Sequence, residues 1–298
     1  MSKVQRLRDK LKDWNERLVE GQPNAIEAQI GRMLWFSAFY RSVNLSRKYH
    51  QQDAKGESLA NGALHDLLHE GYVAMHCSAV RRLVDKGRDT NSLVRLIKDI
   101  QKHSELLTRE NMLAARDLSH ADTHAQQTQG ALCIAVECWH DICDELCGMH
   151  PAERQPTDCP KEKRFADLVD QLQAECDHMV RYTNHYIAHA PRKMAWKSCS
   201  PDDNRSDDSG LSLAMLWRAE RVLVRAASFI SRCVVRGTDI EGVATPQYDL
   251  FRCLNQPFVS NDALPALEPE WELHRSEIER CRGWSWDQKL VSEEDSWE

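Results

Sequence analysis

The sequence has little glycine and proline and no long apolar run. Its 298 residues include 12 glycines and 10 prolines. No apolar stretch approaches the roughly 20 residues that a membrane-spanning helix needs, so a soluble chain without membrane contact is expected. The first residues are charged and lack the apolar segment of a signal peptide, which predicts a cytoplasmic protein. No convincing alternation of apolar and polar residues occurs, so β-strands are not expected.

The cysteines lack the spacing of a disulfide framework or a zinc ribbon. There are 11 of them, an odd number, and no CxxC pair occurs. Reduced thiols are therefore expected, most of them packed in the core. Four of them have a spacing that fits one apolar side of a buried helix: Cys133, Cys138, Cys143 and Cys147.

A net charge of -7 excludes nucleic-acid binding through the overall field of the protein. Binding would need a local basic patch. A candidate patch consists of Arg81, Arg82, Arg88 and Arg95. Neighbouring acidic residues favour ordinary solvated surface as the interpretation of these arginines.

Apolar residues at three- and four-residue spacing predict helices along most of the chain. Ser92 or Asn91 is expected to cap one helix, and Thr108 the next. The other predicted helices cover about residues 4–20, 25–49, 58–85, 129–149, 161–190 and 211–235, with a last short helix near 269–281. We predict one helical domain over residues 1–236, with the N-terminal helix 1–20 packed on it, and an irregular C-terminal extension over residues 237–298.

The stretch RYTNHYIAHAPRK, residues 181–193, concentrates the side chains best suited to chemistry. On an ideal helix His178, Tyr182, His185 and His189 form one stripe beside the buried face. A histidine transfers protons near neutral pH, and an arginine such as Arg181 neutralises the charge on a phosphate. This combination needs no metal to cleave RNA.

Ordinary helix surface is the simpler interpretation of the same histidines. A pair four residues apart beside an arginine is more often solvated surface than a site. The pairs His65/His69 and His120/His124 have the same spacing, which weakens any special role for one pair.

A zinc site is the other alternative for this stretch. It would use His185 and His189 with Cys176 or His178. Cys176 points away from the histidine stripe on an ideal helix, and the glutamate of an HExxH motif is missing. No metal and no cofactor are therefore predicted.

The stretch resembles the signature of HEPN domains (higher eukaryotes and prokaryotes nucleotide-binding), whose ribonuclease members carry an arginine, four to six residues and then a histidine. It is most similar to the abortive-infection branch, in which R-N/D-K-x-I/L-A-H is common and aligns with residues 183–189. Residues 81–100 resemble the R-L-x-D turn and the helix start of that family. The resemblance covers about residues 25–235 and implies a HEPN-like up-and-down helical bundle.

The resemblance implies a role for individual residues. His189 corresponds to the motif histidine and Asn184 to the polar second position, whereas Thr183 stands where the family has its arginine. Arg181 or Arg192 would then replace that arginine. Seven residues separate Arg181 from His189, more than the four to six of the family motif. The catalytic candidates are His189, Arg181, Asn184 and His185, and the RNA-binding candidates are Arg192, Lys193 and Tyr182.

Two functions follow as expectations. The first is a metal-independent endoribonuclease of the antiphage or toxin type, with His189 as general acid/base. The second is a degenerate, non-catalytic member that serves for dimerisation or holds a partner protein or nucleotide. HEPN ribonucleases bring two motif copies together, so a homodimer is expected, with RNA, a nucleotide or a protein as partner.

Overall fold

The computed structural model of the protein describes residues 1–19, 23–46, 62–87, 89–118, 129–187 and 211–243. These ranges contain helices and no strand, which confirms the predicted all-α class. The helices are α1 (Lys3–Leu18), α2 (Ile26–Ser46), α3 (Gly62–Leu83), α4 (Leu93–Lys102), α5 (Arg109–Ala115), α6 (Gln129–Cys147), α7 (Glu162–Tyr182) and α8 (Leu213–Ile230). Over the same ranges, no helix has the length and apolar character to cross a membrane.

Side-chain caps fix the beginnings of α4 and α5. The Ser92 hydroxyl accepts a hydrogen bond from the Arg95 amide at 3.2 Å, and the Thr108 hydroxyl accepts one from the Asn111 amide at 3.3 Å. Such a cap satisfies an amide that has no partner within the helix. The predicted caps Ser92 and Thr108 are confirmed, whereas the helix predicted near residues 269–281 lies outside the described residues.

Helix α7 packs within the bundle in contact with α3, α4 and α8. Its buried side chains are Phe165, Val169, Leu172, Cys176 and Met179. They recur at three- and four-residue spacing, so one face of α7 is covered along its whole length. The other face reaches solvent, and Arg181 of the predicted motif is exposed there.

Helix α1 packs against α4 and α5 through one apolar seam. Leu7, Trp14 and Leu18 on this seam are fully buried. The indole Nε1 of Trp14 donates to Asp99 Oδ2 at 2.7 Å, so the largest side chain of the seam also satisfies its polar atom.

The chain continues past α8 in a π-helical turn, Ser231–Val235, and an irregular segment that ends the described residues at Val243. The Ser231 hydroxyl donates to the Thr238 carbonyl at 2.6 Å, and Ile240 is buried. Residues Met1–Thr245 form one compact unit. The start of the predicted C-terminal extension therefore packs with the bundle, and its remainder lies outside the described residues.

Candidate functional site

The predicted motif begins at the C-terminal end of α7. Arg181 and His185 are exposed there, and Tyr182 and Asn184 are half-buried. His189, Arg192 and Lys193, the remaining predicted site residues, lie outside the described residues. The structure thus brings four of the candidates to one end of one helix.

Arg181 forms an ion pair within its own helix. Its Nε lies 2.9 Å from Asp177 Oδ2, one turn earlier, and both side chains are more than half exposed. Such a solvated pair contributes about 1 kcal/mol or less to stability. The carboxylate holds the guanidinium toward the preceding turn of the helix.

Thr183, which the sequence resemblance aligns with the arginine of the HEPN signature, has its side chain turned into the bundle. It is 4% exposed, and its hydroxyl donates to the Met179 carbonyl at 2.9 Å. An arginine here would lose water around its charge, and burying an unpaired charge is costly. The surroundings of this residue suit a short neutral side chain.

The helix changes its geometry directly after Tyr182. Thr183–Ile187 form a π-helical turn, in which each amide bonds one residue further back than in an α-helix. A regular α-helix would place Tyr186 on the buried face with Met179 and Thr183, but it is 37% exposed, because the wider turn alters the angle between successive residues. Its ring packs against that of Tyr182 with centroids 5.0 Å apart.

A second group of polar side chains, absent from the sequence-based candidates, lies between α2, α3 and α8 and is mostly buried, with Arg41 at its exposed edge. We call it the Tyr72 cluster. The Tyr72 hydroxyl donates to Ser37 Oγ at 3.1 Å and accepts from Trp217 Nε1 at 3.2 Å. The cluster comprises Ser37, Arg41, Tyr72, His76, Trp217 and Glu220.

Arg41 and Glu220 supply the charges of the Tyr72 cluster. Arg41 Nη2 is 3.5 Å from Glu220 Oε1, and its guanidinium carbon lies 4.2 Å from the ring centroid of Trp217. Glu220 is 7% exposed. Burial raises the pKa of its carboxyl group, and the Ser37 hydrogen bond and the Arg41 charge oppose that change.

His76 is the most enclosed ionisable group in the Tyr72 cluster. It is 0% exposed, and its ring lies 5.4 Å from that of Tyr72. Burial lowers the pKa of the imidazole to about 4, since the neighbouring Leu216 backbone, which raises it, is the weaker influence. His76 is therefore neutral at pH 7 and makes the packing of α2, α3 and α8 sensitive to protonation.

A third polar group joins α5 to α6 and to the loop before α7. Arg109 is 3% exposed, and its Nη2 donates to Asp144 Oδ1 at 2.5 Å and to Asp158 Oδ2 at 3.1 Å. Arg154 donates to the same Asp144 carboxylate through Nε at 2.9 Å. In these contacts each guanidinium is paired with a carboxylate. The network is therefore suited to stabilising the fold.

The cysteines do not form a reactive or metal-binding group in the described part of the chain. No set of three or more potential ligands there could hold a metal ion. Cys143 is buried, as its spacing predicted, but Cys138 on the same helix is exposed. Burial raises the pKa of Cys143 to about 11 and that of Cys176 to about 12, so both remain protonated thiols.

The arginines of the predicted basic patch that the structure describes differ in their surroundings. Arg81 and Arg82 are exposed at the end of α3, whereas Arg95 Nη1 donates to the Thr90 carbonyl at 2.6 Å and supports the turn before α4. Arg88 lies outside the described residues.

Comparison with protein-family models, curated proteins and solved structures finds no match to this chain. The function is therefore inferred from the residues and their geometry.

Proposed function

We propose that this protein is a HEPN-like helical module of the antiphage or toxin type that holds a partner and does not cleave RNA. The observation that carries the proposal is the buried Thr183 at the position of the family's arginine. Its hydroxyl is committed to the Met179 carbonyl, so nothing at this position reaches toward a phosphate in solvent. The resemblance of residues 183–189 supports the HEPN-like part of the proposal.

Arg181 is a poor substitute for the missing arginine. It precedes His189 by eight residues, which leaves seven between them, whereas the HEPN ribonuclease motif has four to six. Its ion pair with Asp177 directs the guanidinium toward the beginning of the helix, away from the residues that follow. A phosphate bound by the Arg181 guanidinium would compete with the Asp177 carboxylate.

A metal-independent ribonuclease is the second candidate, because Arg181 and His185 are both exposed at the end of α7. In this candidate His189 transfers the proton, and Arg181 or Arg192 neutralises the phosphate. The exposed pair of Arg181 and Asp177 is broken at a cost of about 1 kcal/mol or less, so that pair alone does not prevent catalysis.

The first prediction separates the two candidates. The purified protein, incubated with labelled single-stranded RNA in EDTA, is expected to give no more cleavage than its His189→Ala variant, because the arginine position is unsuited to catalysis. Gel analysis of the RNA measures the outcome. Cleavage that falls about a hundredfold or more in His189→Ala would establish the ribonuclease instead. A His178→Ala variant, altered at an exposed histidine of α7, controls for general effects of histidine removal.

The second prediction concerns assembly. The histidine stripe beside the buried face suits a symmetric contact, and Ile187, the last residue of the π-helical turn after α7, is 42% exposed. We expect a homodimer at micromolar concentration, and we expect Ile187→Asp to shift it toward monomer by placing a charge in the contact. Light scattering gives the mass. Ile134→Asp on α6, where the native residue is 65% exposed, is the control, and a monomeric wild-type protein would contradict the prediction.

A further inference from the structure

The outward face of α8 carries a row of arginines. Arg218, Arg221 and Arg225 are spaced by three and four residues and lie within an arc of about 60 degrees on an ideal helix. Arg232 follows in the π-helical turn. The row is about 21 Å long at the rise of an α-helix. It contrasts with the chain as a whole, whose net charge is -7.

The two ends of this row are neutralised within the protein. Arg218 Nε lies 2.5 Å from Glu175 Oε2 on α7. Arg232 is paired with Glu145 at 2.6 Å and with Asp239 at 2.9 Å. Arg225, between these ends, is exposed, and no ion pair involves it in the ranges that the structure describes. Its charge is therefore available to a partner.

Beside Arg225 runs an open groove between α7 and α8. We call it the α7–α8 groove. Leu168 of α7 and Val222 and Phe229 of α8 are half-buried along it, so their remaining apolar surface faces the groove. Its polar lining includes Gln171, Ser228, Arg225 and, at one end, the paired Arg232 and Asp239.

An apolar floor with a cationic edge fits one kind of occupant particularly well. A helix with apolar side chains on one face places them in a groove between two helices. Acidic residues along the edge of that face would meet Arg225, which has no ion pair within the described ranges of the chain. An RNA strand would also attract arginines, but phosphate contacts alone leave the apolar surface of Leu168, Val222 and Phe229 without a matching surface.

We infer that the α7–α8 groove binds an acidic amphipathic helix of a partner protein. The inference rests on the proposed function, since it names the surface by which a partner-holding module would hold its partner. None of the groove residues belongs to the predicted motif. Binding in the groove and cleavage of RNA are therefore measured separately.

The test titrates the full-length protein into a fluorescent peptide of about 20 residues, with leucines at i, i+4 and i+7 spacing and glutamates along their edge. Fluorescence anisotropy is expected to give a dissociation constant of about 10 μM or lower. A peptide of the same composition in scrambled order is expected to bind at least about tenfold more weakly, because its apolar side chains no longer share one face.

Arg225→Glu is expected to weaken binding of the acidic peptide about tenfold or more, because it places like charges together. Arg81→Glu, at an exposed arginine of α3 outside the groove, is the matched control and is expected to leave binding unchanged. Equal effects of the two substitutions, or equal binding of the scrambled peptide, would overturn the inference.

A single-stranded RNA of similar length is the remaining arm of the experiment. RNA that binds through Arg225 while the acidic peptide does not bind would identify a nucleic-acid surface and overturn the protein-partner inference. If the protein binds the peptide and also cleaves RNA, the proposal that it does not cleave RNA is wrong, and the groove assignment still holds. If the protein neither cleaves RNA nor binds the peptide, only the groove assignment is wrong.

Discussion

Replacing Arg109 by methionine is expected to lower the free energy of unfolding by about 3–5 kcal/mol. Arg109 is 3% exposed, and methionine fills similar space without the charge. The substitution leaves Asp158 with its amide contact to Gln155 at 2.7 Å but without its guanidinium. Asp144 keeps Arg154 at 2.9 Å. The loss of stability therefore arises mainly from the uncompensated carboxylate of Asp158.

The position of Asp158 explains why this loss affects the whole bundle. Its backbone carbonyl accepts from the Arg109 amide at 2.9 Å, and the Pro156 carbonyl accepts from the Glu110 amide at 3.0 Å. The loop before α7 is thus held against the first turn of α5 by both backbone and side-chain contacts. Weakening the side-chain contacts therefore loosens the connection between α5 and the loop that leads into α7.

Urea unfolding followed by circular dichroism measures the effect of Arg109→Met. Lys163→Met is the control, because the Lys163–Asp167 pair has its lysine 81% exposed and should change stability by about 0.5 kcal/mol or less. Combining Arg109→Met with Asp158→Asn should cost less than the sum of the two single changes, since the second removes the unpaired charge. A loss below about 1 kcal/mol for Arg109→Met would contradict the role assigned to the network.

The helices are the part of the structure that the sequence predicts well, because their signals are local. Leu93, Leu96, Ile97 and Ile100 of α4 follow a three- and four-residue spacing, and all four are fully buried. The Ser92 cap is a contact between residues three apart. Periodicity and capping of this kind depend on neighbouring residues, so no knowledge of the tertiary structure is needed.

The polar groups inside the bundle depend on residues that are distant in the chain. Arg109 and Asp158 are 49 residues apart, and Trp217 and Tyr72 are 145 apart. Spacing along the sequence carries no information about such pairs. A local signal for these polar groups is present in α3. His69, Tyr72 and His76 occupy i, i+3 and i+7 positions and therefore lie on one face of the helix.

The predicted motif shows where a regular helix stops being a reliable guide. The assumption of 100 degrees per residue correctly places Thr183 with Cys176 and Met179 on the buried face. It fails at Tyr186, three residues later, because the π-helical turn has begun. The direction of side chains beyond this turn cannot be derived from the periodicity of α7, so the roles of His189, Arg192 and Lys193 stay predictions.

Acidification from pH 7.5 to pH 5 is expected to cost the wild-type protein about 2 kcal/mol more stability than it costs a His76→Gln variant. His76 has a pKa of about 4 in the folded protein, against about 6.5 for an imidazole in water. Between these values the unfolded chain binds a proton that the folded chain does not bind. Falling pH therefore favours unfolding, and the effect is complete below about pH 4.

Other groups of the Tyr72 cluster titrate or carry charge near His76, and the variant separates their effects. The raised pKa of Glu220 acts in the opposite direction, because the folded protein then takes up a proton more readily than the unfolded chain. Arg41 stays charged over this range and further disfavours a protonated His76. Both groups remain in His76→Gln, so the difference between the two proteins isolates the imidazole.

Urea unfolding at the two pH values, for both proteins, provides the measurement. The difference between wild type and His76→Gln should grow by about 2 kcal/mol in favour of the variant as the pH falls. His178→Gln, at an exposed position of α7, is expected to follow the wild type at both values. Parallel pH dependence of wild type and His76→Gln would mean that His76 is not held neutral by its surroundings, and the protonation-sensitive packing of α2, α3 and α8 would have to be abandoned.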